Sequence, residues 1–173
     1  MEAVARAEGR DPGWLAAEIA AGRVVIPFNR ARTFTPVVIG NGLRTKVNAN
    51  LGTSPLRSCM EEELETLRAA VDAGADAVMD LSTGGDLEAI RREIIGSSPL
   101  MVGTVPIYQV SAECAEKRED GNILQMTPDH FFDVVGKHAV SGVDFITVHC
   151  GVTRAVVDLV DASGALLDTR KRG

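Results

Sequence analysis

Cysteine is scarce in this chain: Cys59, Cys114 and Cys150 are all there is. Odd in number, widely scattered and without a C-x-x-C pair, they argue against a disulfide framework or a self-contained zinc or iron–sulfur site, and reduced thiols are the expectation. Positive charge is in short supply too. Lysine and arginine number 18 against 24 acids, for a net charge of −6. The only basic cluster is Arg170-Lys171-Arg172, so there is no general field for nucleic acid. No apolar run approaches the roughly eighteen residues of a membrane span. The opening MEAVARAEGR is charged and lacks the hydrophobic stretch of a signal peptide. These absences predict a cytoplasmic protein that engages neither nucleic acid nor membrane. Missing as well is a G-x-G-x-x-G after the first strand, which removes support for a dinucleotide-binding fold.

What is present is a chain of 173 residues, within the range of one domain, with 45% hydrophobic and 24% charged residues. Residues 1–42 read as an N-terminal arm. A helix is expected over 1–23, with Trp14, Leu15, Ile19 and Ala20 on one face after Asp11-Pro12 and a stop at Gly22. VVIPFNRARTFTPVVIGNG then breaks periodicity into short extended pieces. From residue 43 strands alternate with amphipathic helices. The expected strands are Leu43–Asn50, Ala75–Leu81, Met101–Val105 and Val143–Cys150.

Between the first two strands, Ser58 and Glu61 suggest a capping box opening MEEELETLRAAVDAG, which Gly74 closes. Asp86 starts the next helix. A helical piece around Ser111–Glu119, an Asp120-Gly121 turn, a helix capped by Thr127 with Pro128 at its first position, and a last helix from Thr153 to Ala162 complete the pattern. Units of about thirty residues of this kind imply parallel strands with helical crossovers. The fold class is therefore α/β, as an incomplete (β/α)8 TIM-like barrel of about four βα units spanning 43–173. A closed barrel has eight strands, so half of one leaves open edges and predicts association with a second copy or a complementary half.

In such a barrel, polar groups at the carboxyl ends of strands make the site. Asn50, the Met79-Asp80 pair, Tyr108 just past the third strand and His149 occupy those positions. Asn48 and Asn50 share parity with Arg44 and Lys46; a solvent-facing strand explains them as readily as a site does. By spacing alone His149 in VDFITVH reads as a structural histidine; its place at the carboxyl end of a strand is what points to a site. Tyr108, the only tyrosine, either caps a core or bonds a ligand, and the preceding Pro106 favours a shaped loop there. His130 and His138 read as solvated or packed. LSTGG, Leu81 to Gly85, is a strand-to-helix loop whose backbone N–H groups are of the kind that receive an anion.

Taken together, KVNANLGTS, VMDLSTGGDLEAIRREII, SPLMVGTVPIYQ and GVDFITVHCGVT closely resemble the phosphomethylpyrimidine synthase family, radical S-adenosylmethionine enzymes of thiamine pyrimidine biosynthesis. The resemblance runs from about residue 26 to residue 153 in the same order. It implies a (β/α)8 barrel that rearranges 5-aminoimidazole ribotide into the phosphorylated hydroxymethylpyrimidine. It also implies substrate contacts at Asn50 (VNAN), Met79 (MDLSTG), Tyr108 (PIYQ) and His149 (T-x-H-x-G). The family's [4Fe–4S] cluster, S-adenosylmethionine and zinc are held by motifs expected beyond Gly173, among them an SRGG loop and a C-x-x-C-x-x-x-x-C. Cys59, Cys114 and Cys150 match none of the cluster positions, so the expectation is a truncated form, inactive alone, with no metal ligands of its own. The same motifs are shared by 5-hydroxybenzimidazole synthase, a relative acting on the same ribotide. A non-catalytic binding or interaction module is the third reading.

Overall fold

The structure is a computed structural model and describes residues 1–116 and 126–163. The expected Asp120-Gly121 turn and the basic tail lie outside the described residues, as does the end of the piece expected over Ser111–Glu119.

The N-terminal stretch forms two helices where the sequence suggested one, α1 (Glu2–Ala7) and α2 (Pro12–Ala20). The break falls at Asp11, whose carboxylate accepts from the Trp14 N–H at 2.9 Å and so starts a new helix with Pro12 in its first turn. The two apolar triplets then pair with each other: β1 (Val24–Val25) runs antiparallel to β2 (Ile39–Gly40). Val4, Ala5, Leu15, Val24 and Val38 close a small core of their own.

Four further strands, β3 (Asn48–Leu51), β4 (Ala77–Asp80), β5 (Met101–Thr104) and β6 (Phe145–Ile146), form one parallel sheet in sequence order. They are joined through α3 (Met60–Asp72), α4 (Leu87–Ser97), and the pair α5 (Pro106–Glu116) and α6 (Pro128–Ser141). A last helix, α7 (Arg154–Ser163), follows β6. None of the described helices is long and apolar enough to cross a membrane.

Strand parity sorts the side chains. Ala49, Leu51, Val78 and Val102 face the helices and pack with Leu67 and Ala70 of α3 and Ile90 and Ile94 of α4. The other parity carries Asn48, Asn50, Met79, Gly103 and Phe145.

The segment between β1 and β2 is tied across the amino end of the sheet. Arg32 pairs with Asp144, just before β6, and bonds the carbonyls of Ser98 (2.7 Å) and Leu100 (3.1 Å), just before β5. The buried Asp144 carboxylate also accepts from the N–H groups of Asn29 and Val102 at 2.9 and 2.8 Å.

Several boundaries differ from expectation. The first strand begins at Asn48 rather than Leu43, because Leu43 packs into the N-terminal core and the Val47 N–H is taken by Asp76 at 2.8 Å. The last strand ends at Ile146 rather than Cys150: β5 stops at Thr104, and one further bond, Thr147 N–H to the Thr104 carbonyl, exhausts the pairing. The capping box does not form. Cys59 is the N-cap of α3 without a side-chain cap bond, and the Ser58 hydroxyl turns to the Gly84 carbonyl. Tyr108 lies in the first turn of α5 rather than in a loop, since Pro106 opens that helix.

Candidate functional site

The carboxyl end of the sheet is built on one register row. Asn50 pairs with Met79, Met79 with Gly103, and Gly103 with Phe145. Asn50 is exposed and Met79 half-buried. The Asn50 Oδ1 accepts from Asn48 Nδ2 at 3.1 Å, which leaves the Asn50 amide nitrogen with two free donors. Beside them, a Cβ on Gly103 would lie 2.4 Å from the Phe145 ring, so the absent side chain at 103 is what lets that ring lie across the sheet. Neither Phe145 nor Gly103 stood out in the sequence. The signal was there in shared parity, Gly103 in MVGTV and Phe145 in VDFITVH.

Two strand-to-helix loops lock this edge. Thr53 donates its hydroxyl to the Gly84 carbonyl at 2.6 Å and its N–H to Ser82 Oγ at 3.1 Å, while the Thr83 N–H returns to the Thr53 carbonyl at 2.9 Å. A Cβ on Gly84 would meet Ser54 carbonyl carbon and Pro55 nitrogen at 2.4 Å, so only glycine permits the close approach. The Ser82 N–H is taken by Asp80 at 3.0 Å. The loop expected to offer N–H groups to an anion therefore spends those of Ser82 and Thr83 within the fold. Its role is a clasp between the loops that follow β3 and β4, a few residues past Asn50 and Met79.

Tyr108 and His149 lie beyond the ends of β5 and β6, the next strands along. Both are exposed, and among the described residues neither side chain makes a hydrogen bond. The structure thus joins Asn50 and Met79 as neighbours and sets Tyr108 and His149 past the same edge, with no hydrogen bond among the described residues linking the two pairs. Hollows of about 340 and 620 Å³ occur elsewhere, between α3 and α4 around Leu67 and Val71 and between α4 and α6 around Arg92 and Val140. None of the four strand-end residues lines either one.

Behind the edge sits a polar network the sequence did not disclose. Arg91 of α4 donates Nη1 to Gln109 Oε1 at 2.7 Å and lies 3.0 Å from His138 Nε2. The His138 Nδ1 meets Thr104 Oγ1 of β5 at 2.8 Å. Asp80 and Ser82 join these residues around a cavity of about 10 Å³, room for one water. Burial, then the Arg91 charge, pushes the His138 imidazole down to about 4, so it is neutral at physiological pH. Burial also raises the Asp80 carboxyl and lowers the Arg91 guanidinium. His138 is thus a packed residue. Gln109, the chain neighbour of Tyr108, is anchored in the network, which fixes the first turn of α5.

Among the described residues, no three His, Cys, Asp or Glu side chains converge to hold a metal ion. The three cysteines sit apart: Cys59 at the start of α3, Cys114 buried on α5, and Cys150 exposed after β6. By themselves, the described residues assemble no site for an iron–sulfur cluster or a zinc ion.

A parallel α/β sheet with open polar groups at its carboxyl edge defines an enzyme-type scaffold. The chain belongs to the radical SAM ThiC family, which it matches over residues 1–173. It is similar to the phosphomethylpyrimidine synthase of Moorella thermoacetica, 55% identical over 100% of this chain and 40% of the relative. The same enzyme of Desulforudis audaxviator is 52% identical, over 100% of this chain and 40% of the relative. That of Thermodesulfovibrio yellowstonii is 51% identical, over 98% and 39%. The chain spans about 40% of the length of the curated relatives it matches.

Proposed function

We propose that this chain serves phosphomethylpyrimidine synthesis and carries one wall of the pocket for 5-aminoimidazole ribotide. The observation that supports it is the register pair Asn50–Met79 on the open face at the carboxyl edge, with Tyr108 and His149 past the ends of the adjacent strands. Asn50 offers amide donors to the ribotide, and Tyr108 and His149 bond its hydroxyls, phosphate or imidazole. Met79 packs against its ring. The names of the relatives support this reading over 5-hydroxybenzimidazole synthesis.

In this reading residues 1–42 are an arm, and residues 43–173 are four βα units of a (β/α)8 barrel. β3 and β6 are its open edges, completed by a second copy or by a complementary part of the barrel. The reaction takes place in the cytoplasm. S-adenosylmethionine and a [4Fe–4S] cluster, with zinc, would be held by residues other than the described ones and would supply the radical chemistry. The described residues bind and orient the ribotide and hold its reacting face at the edge.

Calorimetry with 5-aminoimidazole ribotide on this chain and on Asn50→Ala tests the pocket. Heat with the parent chain that is lost in the variant is expected. Equal heats, or none in either, would remove the proposed role of the strand edge.

A further inference from the structure

Away from the strand edge, α5 and α6 bring a thiol, an imidazole and a carboxylate into line. Cys114 packs in a small core with Val110 and Val134, flanked by the half-buried Met126 and Phe131. His130, in the first turn of α6, is positioned by the bond from its N–H to Thr127 Oγ1 at 3.2 Å. Its Nε2 lies 2.6 Å from Glu113 Oε2 and its Nδ1 lies 3.7 Å from Cys114 Sγ.

The state of the imidazole follows from the carboxylate. Burial raises the Glu113 carboxyl, but the bonds from His130 and Gln109 and the charge of Lys137 outweigh it and hold it at about 2. Glu113 is then a carboxylate at neutral pH and only accepts. The His130 nitrogen 2.6 Å from it must carry a proton, so in the neutral ring Nδ1 presents its lone pair to the thiol. A base aimed at a thiol and oriented by an acid is the arrangement of an activated sulfur nucleophile. The other groups facing Glu113 are Gln109, which donates Nε2 at 2.8 Å, and Lys137, at 3.4 Å from both Glu113 and Glu88.

The other two cysteines lack this arrangement. Cys59 has its sulfur 3.4 Å from Glu61 Oε2, a carboxylate that opposes a thiolate, and Cys150 has no side-chain partner among the described residues.

We propose that Cys114 is a peroxide-reactive thiol, with His130 as its base and Glu113 as the group that orients the base. The S–H proton passes to His130 Nδ1 and the sulfur attacks one oxygen of a hydroperoxide. An S–O bond forms and the O–O bond breaks. His130 returns the proton to the leaving oxygen as water or alcohol. Sulfur is oxidised by two electrons to the sulfenic acid and the peroxide is reduced. With Cys114 only 9% exposed between apolar walls, the site admits small neutral peroxides and excludes bulky or anionic ones. The His130 and Glu113 side chains remain 22% and 21% exposed, which leaves a path for proton exchange with solvent.

The test uses the 173-residue chain treated with hydrogen peroxide near neutral pH, with a dimedone-type trap and peptide mass spectrometry at each cysteine. Cys114 is expected to be trapped about 10-fold faster than Cys150 despite its burial. His130→Gln should lower its rate about 10-fold or more while leaving Cys150 unchanged. Glu113→Gln, which keeps the shape of the site, should lower the Cys114 rate as well. Trapping at Cys114 no faster than at Cys150, trapping only after denaturant is added, or an unchanged rate in both variants would overturn the proposal.

Discussion

On the helix side of the sheet Leu51, Val78 and Val102 meet Leu67, Ile90 and Ile94. On the opposite side the register partners are Asn50, Met79, Gly103 and Phe145. Both faces carry polar groups, but they are used differently. Among the described residues no buried side-chain nitrogen or oxygen on the helix side is left without a partner: Asp144 is held by Arg32, Thr104 by His138, Arg91 by Gln109 and Ser141. On that face Asn50, and past the ends of the neighbouring strands Tyr108 and His149, keep hydrogen-bonding capacity unused among the described residues. The difference teaches that polar residues with spent capacity build the scaffold, and those with unspent capacity mark where a ligand goes.

The comparison breaks most severely at Arg32→Ala. Asp144 would be left with its charge buried and its guanidinium partner gone, and three carbonyls would lose a donor. Removing one partner of a buried ion pair costs about 3–5 kcal/mol, so the urea midpoint should fall steeply or the chain fail to fold. Removing both partners tests whether the cost is the orphaned charge: Arg32→Met with Asp144→Asn should be milder than Arg32→Ala alone.

Next comes the apolar half of the same face. Ile94 is fully buried between α4 and the sheet. Truncating such a side chain leaves a cavity, and Ile94→Ala should lower stability by about 2–4 kcal/mol in chemical denaturation. A loss under about 1 kcal/mol would mean that the helices do not seal the sheet as described.

The buried network gives a pH signature. His138 stands at about 4 in the folded chain against an ordinary 6.5. Between those values the unfolded chain binds the extra proton, so stability is full above about pH 6.5 and is lost as pH falls toward 4. The whole effect is at most about 3.5 kcal/mol. His138→Gln should flatten that slope in denaturation curves across the window; an unchanged slope would assign it to other groups.

The legible part of this design was local. Asp86 and Thr127 do accept from the N–H groups three residues on, as their place before apolar helices suggested. The strand positions followed from apolar runs separated by turns. Asn50 and Met79 stood out by their place near the carboxyl ends of the expected strands, and β3 and β4 do end next to them. What escaped had no local pattern. Arg91, Gln109 and His138 come from three helices and meet only after the chain folds. Ser58 looked like a cap because Glu61 follows it at the right spacing, yet the Gly84 carbonyl, distant in sequence, takes its hydroxyl. Tyr108 was placed in a loop because Pro106 reads as a breaker. At the first position of a helix a proline has no N–H to waste, so the same residue starts α5.

The smallest stability effect, and the sharpest test of the contrast, is Asn50→Ala. The side chain is exposed and its single bond is to Asn48 on the same strand, so no buried group is orphaned by its loss. Stability should change by no more than about 0.5 kcal/mol. The clasp is made by Thr53, Ser82, Thr83 and Gly84, none of which bonds the Asn50 amide, so the edge should keep its shape. Ribotide binding, if the open face is the pocket wall, should nevertheless weaken by about 10-fold or more, the worth of one well-placed hydrogen bond to a ligand. A variant as stable as the parent and binding the ribotide equally well would put the free capacity of Asn50 outside the pocket. A variant that loses several kcal/mol would place Asn50 with the scaffold instead, and the two faces of the sheet would no longer differ in kind.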